Sequence, residues 1–170
     1  MKMYMSESAK VQDMPNIMRY ITGRVADIGA GGNKITADAV AYDGRVLPGV
    51  DYVQDGLYIT GAVFDTIFSS HFLEHVINPG DYIINWYTHL EAGGHLILYL
   101  PEKEYYNSHN NPEHMFDWSY DDFMFFFKRG FCGEGKNYKG ETLLKMFEVI
   151  EAGKDIGHDR YSFYLIARKV

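Results

Sequence analysis

The sequence predicts an α/β sandwich built on a mainly parallel sheet, and three observations carry that prediction. Short apolar runs bounded by Gly, Pro, Asn or Asp alternate with helix-like stretches. Several of those runs end on a polar side chain, as strands that deliver residues to a site do. The last two runs are joined by only Ala152 to Arg160, too short for a helical crossover, so an antiparallel hairpin is expected there.

The first ten residues, rich in polar side chains and methionine, read as a loose terminus. Pro15 to Tyr20 suits a short helix. Residues 1–22 are therefore expected to form an N-terminal segment that covers a pocket, and residues 23–170 a single domain. Strands are predicted at Arg24–Ile28, Asp38–Tyr42, Asp51–Gln54, Phe64–Ser69 and His95–Leu100. Between the last two, Asp81 suits a helix cap, Ile83, Ile84, Trp86, Tyr87 and Leu90 an apolar face, and Gly93-Gly94 a stop. A second helix is expected from Ser119, where Ser119-Tyr120-Asp121-Asp122 resembles a capping box, to Gly130. Its phenylalanines lack a basic flank and read as a buried face rather than a membrane-binding one. Phe147–Glu151 and Tyr161–Arg168 close the fold.

Composition bounds the function. A chain of 170 residues with 46% apolar content supports one domain with a real core. A net charge of −7 without a Lys/Arg run argues against nucleic acid as a partner. The single cysteine, Cys132, excludes an intramolecular disulfide and a cysteine-based zinc cluster. No signal peptide or membrane span is evident, so a cytoplasmic setting without membrane attachment is expected.

Asp27, Asp43, Asp55 and His71 all fall at or just beyond predicted strand ends, where ligands bind in open α/β sheets. Asp27-Ile28-Gly29-Ala30-Gly31-Gly32 lets a ligand approach the backbone, and Asp43, ending the next strand, suits ribose hydroxyls. Asn33 and Lys34 break the full Gly-x-Gly-x-x-Gly spacing, which disfavours a dinucleotide. Gly29–Ala37 and Asp43–Val50 are near or below the length of a helical crossover. Those helices must be very short or replaced by turns. That leaves room for a partner protein or a second copy of the chain on that side.

With Phe64-Asp65-Thr66-Ile67-Phe68-Ser69-Ser70-His71-Phe72-Leu73-Glu74-His75, these residues resemble the class I S-adenosylmethionine-dependent methyltransferases. The resemblance implies a Rossmann-like three-layer sandwich with seven strands in the order 3-2-1-4-5-7-6, one of them antiparallel near the C-terminus. It implies S-adenosylmethionine as cofactor, with Asp27, Gly29, Ala30 and Gly31 around its methionyl part and Asp43 on the ribose. Asp55 would meet the adenine amine, Gly56 and Leu57 the ring, and Ser70 and His71 would lie beneath the cofactor.

Methyl transfer to a small-molecule or carrier-presented acceptor is the expected activity. The alternative is a non-catalytic cofactor-binding protein or partner subunit that kept the fold. His71, His109 and His114, in that order, are the candidate bases. A metal site would need three or four converging ligands, and pairing His71 with His75, or His109 with His114, shows no such convergence in sequence, so no metal is assigned. Tyr105, Tyr106, His109, His114 and Trp118 in the 102–118 stretch are candidates for acceptor contact.

Overall fold

A computed structural model describes residues 7–170. The chain forms α1 (Glu7–Gln12), α2 (Pro15–Met18), β1 (Val25–Ile28), β2 (Val40–Asp43), β3 (Tyr52–Val53) and β4 (Phe64–Ser70). A 3-10 turn at Leu73–His75 follows, then α3 (Pro79–Thr88), β5 (Leu90–Pro101), α4 (Tyr120–Phe131), β6 (Phe147–Gly157) and β7 (Arg160–Lys169). One sheet has the order β3-β2-β1-β4-β5-β7-β6, with β7 antiparallel to both of its neighbours. The predicted class and strand order are those observed.

Both faces of the sheet are covered, and the strands alternate between two cores. Ala26, Ile28, Ile67, Leu96, Leu98 and Leu165 point towards α3 and α4, where Trp86, Phe123 and Phe127 are fully buried. Val25, Phe68, Ile97, Tyr99 and Ile166 point the other way, onto Val11, Met14 and Ile17 of the N-terminal segment. This second core explains a correction. Residues 7–12 are helical and not loose, because α1 buries Val11 completely against the sheet. The first six residues of the expected loose terminus lie outside the described part. The two early crossovers hold turns and no helix, so α1 and α2 cover a face those crossovers leave open.

Several boundaries differ from the sequence reading, β5 among them, which starts at Leu90 and not at His95. Helix α3 begins after Asn78 with Pro79 at its first position, so Asp81 sits inside the first turn and does not cap it. The same helix ends at Thr88. Gly93 and Gly94 belong to β5, where a Cβ on Gly94 would sit 2.8 Å from the Asp65 carbonyl, beside the register shift between Phe64 and Thr66. Its buried face is Pro79, Tyr82, Ile83 and Trp86, and Ile84 is exposed. Finally, the closing strands pair, with a register shift between Val149 and Glu151, as far as Gly157 and Arg160, which reduces the expected loop to His158-Asp159. Helix α4 starts as predicted, with the Ser119 hydroxyl accepting from the Asp122 amide at 3.1 Å. No described helix is long and apolar enough to cross a membrane.

Candidate functional site

The glycine turn after β1 and the acidic end of β2 form one unit. Gly29 and Ala30 both donate to the Tyr42 carbonyl, and the Gly31 amide donates to Asp43 Oδ2 at 2.9 Å. Gly29 and Gly31 adopt φ of 73° and 61°, and a Cβ on Gly29 would meet Phe72 at 2.8 Å. Only glycine fits that position without a shift.

Asp43 is buried, and both of its oxygens are engaged. Oδ1 accepts from the Arg45 amide and Nε at 2.9 Å each, and Oδ2 accepts from Arg45 Nη2 at 3.1 Å as well as from Gly31. Burial works to raise its pKa, but the Arg45 guanidinium and these amides together hold it below the usual carboxylate range. Arg45 is itself largely exposed, so the clamp can open at little cost.

Asp27 has no solvent exposure. Its Oδ2 accepts from the Ile35 amide at 2.7 Å, whereas Oδ1 has no hydrogen-bond partner. Burial pushes its pKa up to about 7, against the pull of the Ile35 amide and Lys34. Asp55 stands on the other side of the glycine turn. Its Oδ1 accepts from the Leu57 amide at 3.0 Å and from the Tyr82 hydroxyl at 2.8 Å, which ties the β3 exit to α3. Gly56 is buried, and its carbonyl accepts from Trp86 Nε1 at 2.7 Å.

A cleft of about 700 Å³ runs from Gly44, Asp55 and Leu57 past Phe72 and Tyr82 to His75 and Met115. Asp27, Ser70 and His71 do not line it. They face the N-terminal segment instead, so the candidate residues divide between an open side and a side roofed by α1.

His71 occupies a left-handed conformation (φ 47°), unusual for a side chain other than glycine or asparagine, and its amide donates to the Tyr99 carbonyl at 2.8 Å. Its Nε2 lies 2.8 Å from Ser162 Oγ and 3.6 Å from Glu7 Oε2. Burial, with positive charge on Lys10 adding to it, lowers its pKa to about 3, so the imidazole is neutral. Ser70 Oγ is buried without a hydrogen-bond partner.

Segment 102–119 folds back over the end of β4. The Met115 and Phe116 amides donate to the Glu74 carbonyl at 2.7 and 3.1 Å, which places His114 edge-on to His75 with ring centroids 4.9 Å apart. Tyr106 stacks on Tyr161 and meets His114 edge-on. Tyr105 and His109 are exposed, and Trp118 packs on Phe116 and Phe123. The structure thus joins His75 to His114 and leaves His109 outside.

Three residues near the site were not legible in the sequence. Arg45 is brought to it by a local turn two residues beyond Asp43, and Glu7 and Ser162 by tertiary contacts from opposite ends of the chain. Glu74 had a signal: a carboxyl flanked by Phe72, Leu73 and Val76 is easily buried, and a buried carboxyl needs a partner.

No family model matches the sequence, and no curated protein matches it. Solved structures do. The chain is similar to the 1,6-didemethyltoxoflavin-N1-methyltransferase of Burkholderia thailandensis, determined with 1,6-didemethyltoxoflavin and S-adenosylhomocysteine bound. The TM-score is 0.70 at 14% identity, over 96% of this chain and 78% of that one. It is similar to magnesium protoporphyrin IX methyltransferase from Synechocystis PCC 6803 with bound S-adenosylhomocysteine, at TM-score 0.62 and 15% identity, over 96% of this chain and 81% of that one. An S-adenosylmethionine-dependent methyltransferase from Archaeoglobus fulgidus aligns at TM-score 0.60 and 14% identity, over 95% of this chain and 92% of that one. At these identities the likeness establishes the fold: the chain has the fold of class I methyltransferases.

Proposed function

We propose that this chain binds S-adenosylmethionine and transfers its methyl group to a small-molecule or carrier-presented acceptor. One observation carries the reading. The glycine turn, the buried Asp43 and the cleft-lining Asp55 converge at the carboxyl ends of β1, β2 and β3, where a nucleoside needs them.

The residues present fit that cofactor. Asp43 serves the ribose hydroxyls once Arg45 swings aside, and Asp55 with Leu57 serves the adenine at the cleft. Asp27 Oδ1 and Ser70 Oγ, both buried and unpartnered, suit the methionyl ammonium, with Gly29, Ala30 and Gly31 along the chain. The cofactor supplies a methyl already activated on a sulfonium. The protein's share is to align the acceptor and exclude water, a share worth about 7–11 kcal/mol in well-oriented reactions. The described part of the N-terminal segment, residues 7–22, is assigned as the cover of the methionyl side, a role supported by Glu7 lying beside His71 and Tyr161. Where the acceptor carries a proton, His71, His109 and His114 are the candidates for its removal; His71 directly follows a parallel strand, but a pKa of about 3 makes its buried imidazole a weak base.

A second reading, cofactor binding without turnover, is favoured by the helix-free early crossovers, which leave Tyr52, Val53 and Tyr58 exposed for a partner subunit or a second copy. Incubation with labelled S-adenosylmethionine and a panel of hydroxyl, amine and carboxylate acceptors separates the two. Methylated product supports the enzyme. Tight binding with no product from any acceptor supports the second reading.

A further inference from the structure

We propose that Glu74, His75 and His114 form a binding site for one divalent first-row transition-metal cation, at the carboxyl end of β4 beside the cleft. Each of the three offers a ligand atom, and those atoms lie within 4.8 Å of one another. A cation with imidazole and carboxylate ligands at about 2.0–2.2 Å holds them roughly 3–3.6 Å apart, so side-chain shifts of about 1 Å close the site. His75 Nε2 already stands 3.7 Å from Glu74 Oε1.

Burial makes the arrangement costly without a shared partner. Glu74 is wholly buried, and neither carboxylate oxygen has a hydrogen-bond partner. The His114 side chain is 1% exposed, and neither ring nitrogen has one either. Buried polar groups of this kind are normally satisfied, and a cation satisfies all three residues at once.

The surroundings orient the rings as a metal site requires. His75 Nδ1 lies 3.2 Å from the Glu113 carbonyl, and a proton donated there leaves Nε2 free on the Glu74 side. His114 Nδ1 lies 3.6 Å from Asp117 Oδ1, and Asp117 is held by the amide and hydroxyl of Ser108 at 2.7 Å each. That pairing leaves Nε2 of His114 as its ligand atom. The backbone bonds from Met115 and Phe116 to the Glu74 carbonyl fix the two halves together.

Two imidazoles and one carboxylate select zinc, iron(II), cobalt or manganese over magnesium or calcium, which prefer all-oxygen sites. Three protein ligands leave positions open. Because His75 and Met115 also line the cleft, an acceptor oxygen entering there can complete the sphere and lose its proton more easily. That role rests on the methyltransferase reading; the site itself does not. The assignment removes His114 from the candidate bases.

The test is calorimetry of chelator-stripped full-length protein with zinc, cobalt(II) and manganese salts, with cobalt absorption as a second readout. We expect one equivalent bound, a raised melting temperature and a cobalt spectrum with nitrogen ligation. His114→Asn and Glu74→Gln should weaken binding more than about a hundredfold, and Asp117→Asn about ten- to a hundredfold. Glu74→Gln keeps the side-chain shape and takes away a carboxyl that is buried without a partner, so it folds even if a histidine variant does not. His158→Asn, on the surface, should bind as wild type. Folded wild type that binds none of the three cations, or binds them as well after Glu74→Gln, overturns the site, as does a crystal structure with waters alone between the three residues. S-adenosylmethionine titrated into the same stripped protein is read separately: cofactor binding without cation uptake overturns only this site, and cation uptake without cofactor binding overturns only the methyltransferase reading.

Discussion

Asp27 sets the first prediction at the scale of single residues. Its ordinary pKa is 3.8, and burial raises it to about 7. Between about pH 4 and pH 7 the unfolded chain has released this proton and the folded chain still holds it. Folding stability from this group is therefore full at low pH and falls as pH rises towards 7, by at most about 1.4 kcal/mol per pH unit. Asp27→Asn should flatten that decline in urea unfolding measured from pH 5 to 8, because an amide oxygen still accepts from Ile35. An unchanged decline means Asp27 ionises normally. Arg45 supplies a second prediction. If Arg45 only competes with ribose for Asp43, Arg45→Ala tightens S-adenosylmethionine binding by about 0.2–1 kcal/mol, the worth of an exposed ion pair. A clear loss of affinity in calorimetry would instead make Arg45 a cofactor contact. Asp27 and Asp43 were legible because a polar residue at the end of an apolar run has few other reasons to be there. Arg45 was not: two residues beyond Asp43, it lies in a turn whose conformation decides whether it folds back.

The elements show which parts of a sequence speak for themselves. Helix α4 announced its start through Ser119 and Asp122, a local hydrogen bond, and Ser119→Ala should cost about 0.5–2 kcal/mol by thermal unfolding. The α3 start was misplaced because Asp81 and Asn78 both suit a cap, and Pro79 at the first helical position decides between them. Helix α1 was missed for a different reason. Six residues with one buried valine do not make a helix alone; the opposite sheet face makes it. Its contribution is measurable. Val11→Ala should destabilise the whole protein by about 2 kcal/mol, from two lost methyl groups and the cavity they leave. A change under about 0.5 kcal/mol would mean the N-terminal segment is an appendage and not the cover of the sheet.

At the scale of the whole molecule, the sheet order follows from a few constraints that sequence displays well. Apolar strand runs, one long helix between β4 and β5, and a tight terminal hairpin restrict the topology strongly. What the sequence hides is closure between distant segments. The 102–119 segment reaches Glu74 through backbone bonds from Met115 and Phe116, and no residue pattern encodes that register. His75 and His114 were therefore each paired with the wrong neighbour in sequence. The same holds for Glu7 and Ser162, which meet at His71 from the two ends of the chain. The fold therefore came through by local pattern, and the same pattern placed Asp27, Asp43 and Asp55 at or just beyond strand ends. The β4 end needed three dimensions.

The central claim is that the glycine turn, Asp43 and Asp55, at the carboxyl ends of β1, β2 and β3, form an S-adenosylmethionine site. Calorimetry with S-adenosylmethionine and S-adenosylhomocysteine, on wild type and Asp43→Ala, tests it most directly. The account predicts one site for each ligand, with affinity falling at least about tenfold in the variant, or about 1.4 kcal/mol, as befits lost hydrogen bonds to a charged group. Folded wild-type protein that binds neither ligand, or that binds both as well after the Asp43→Ala change, would contradict it.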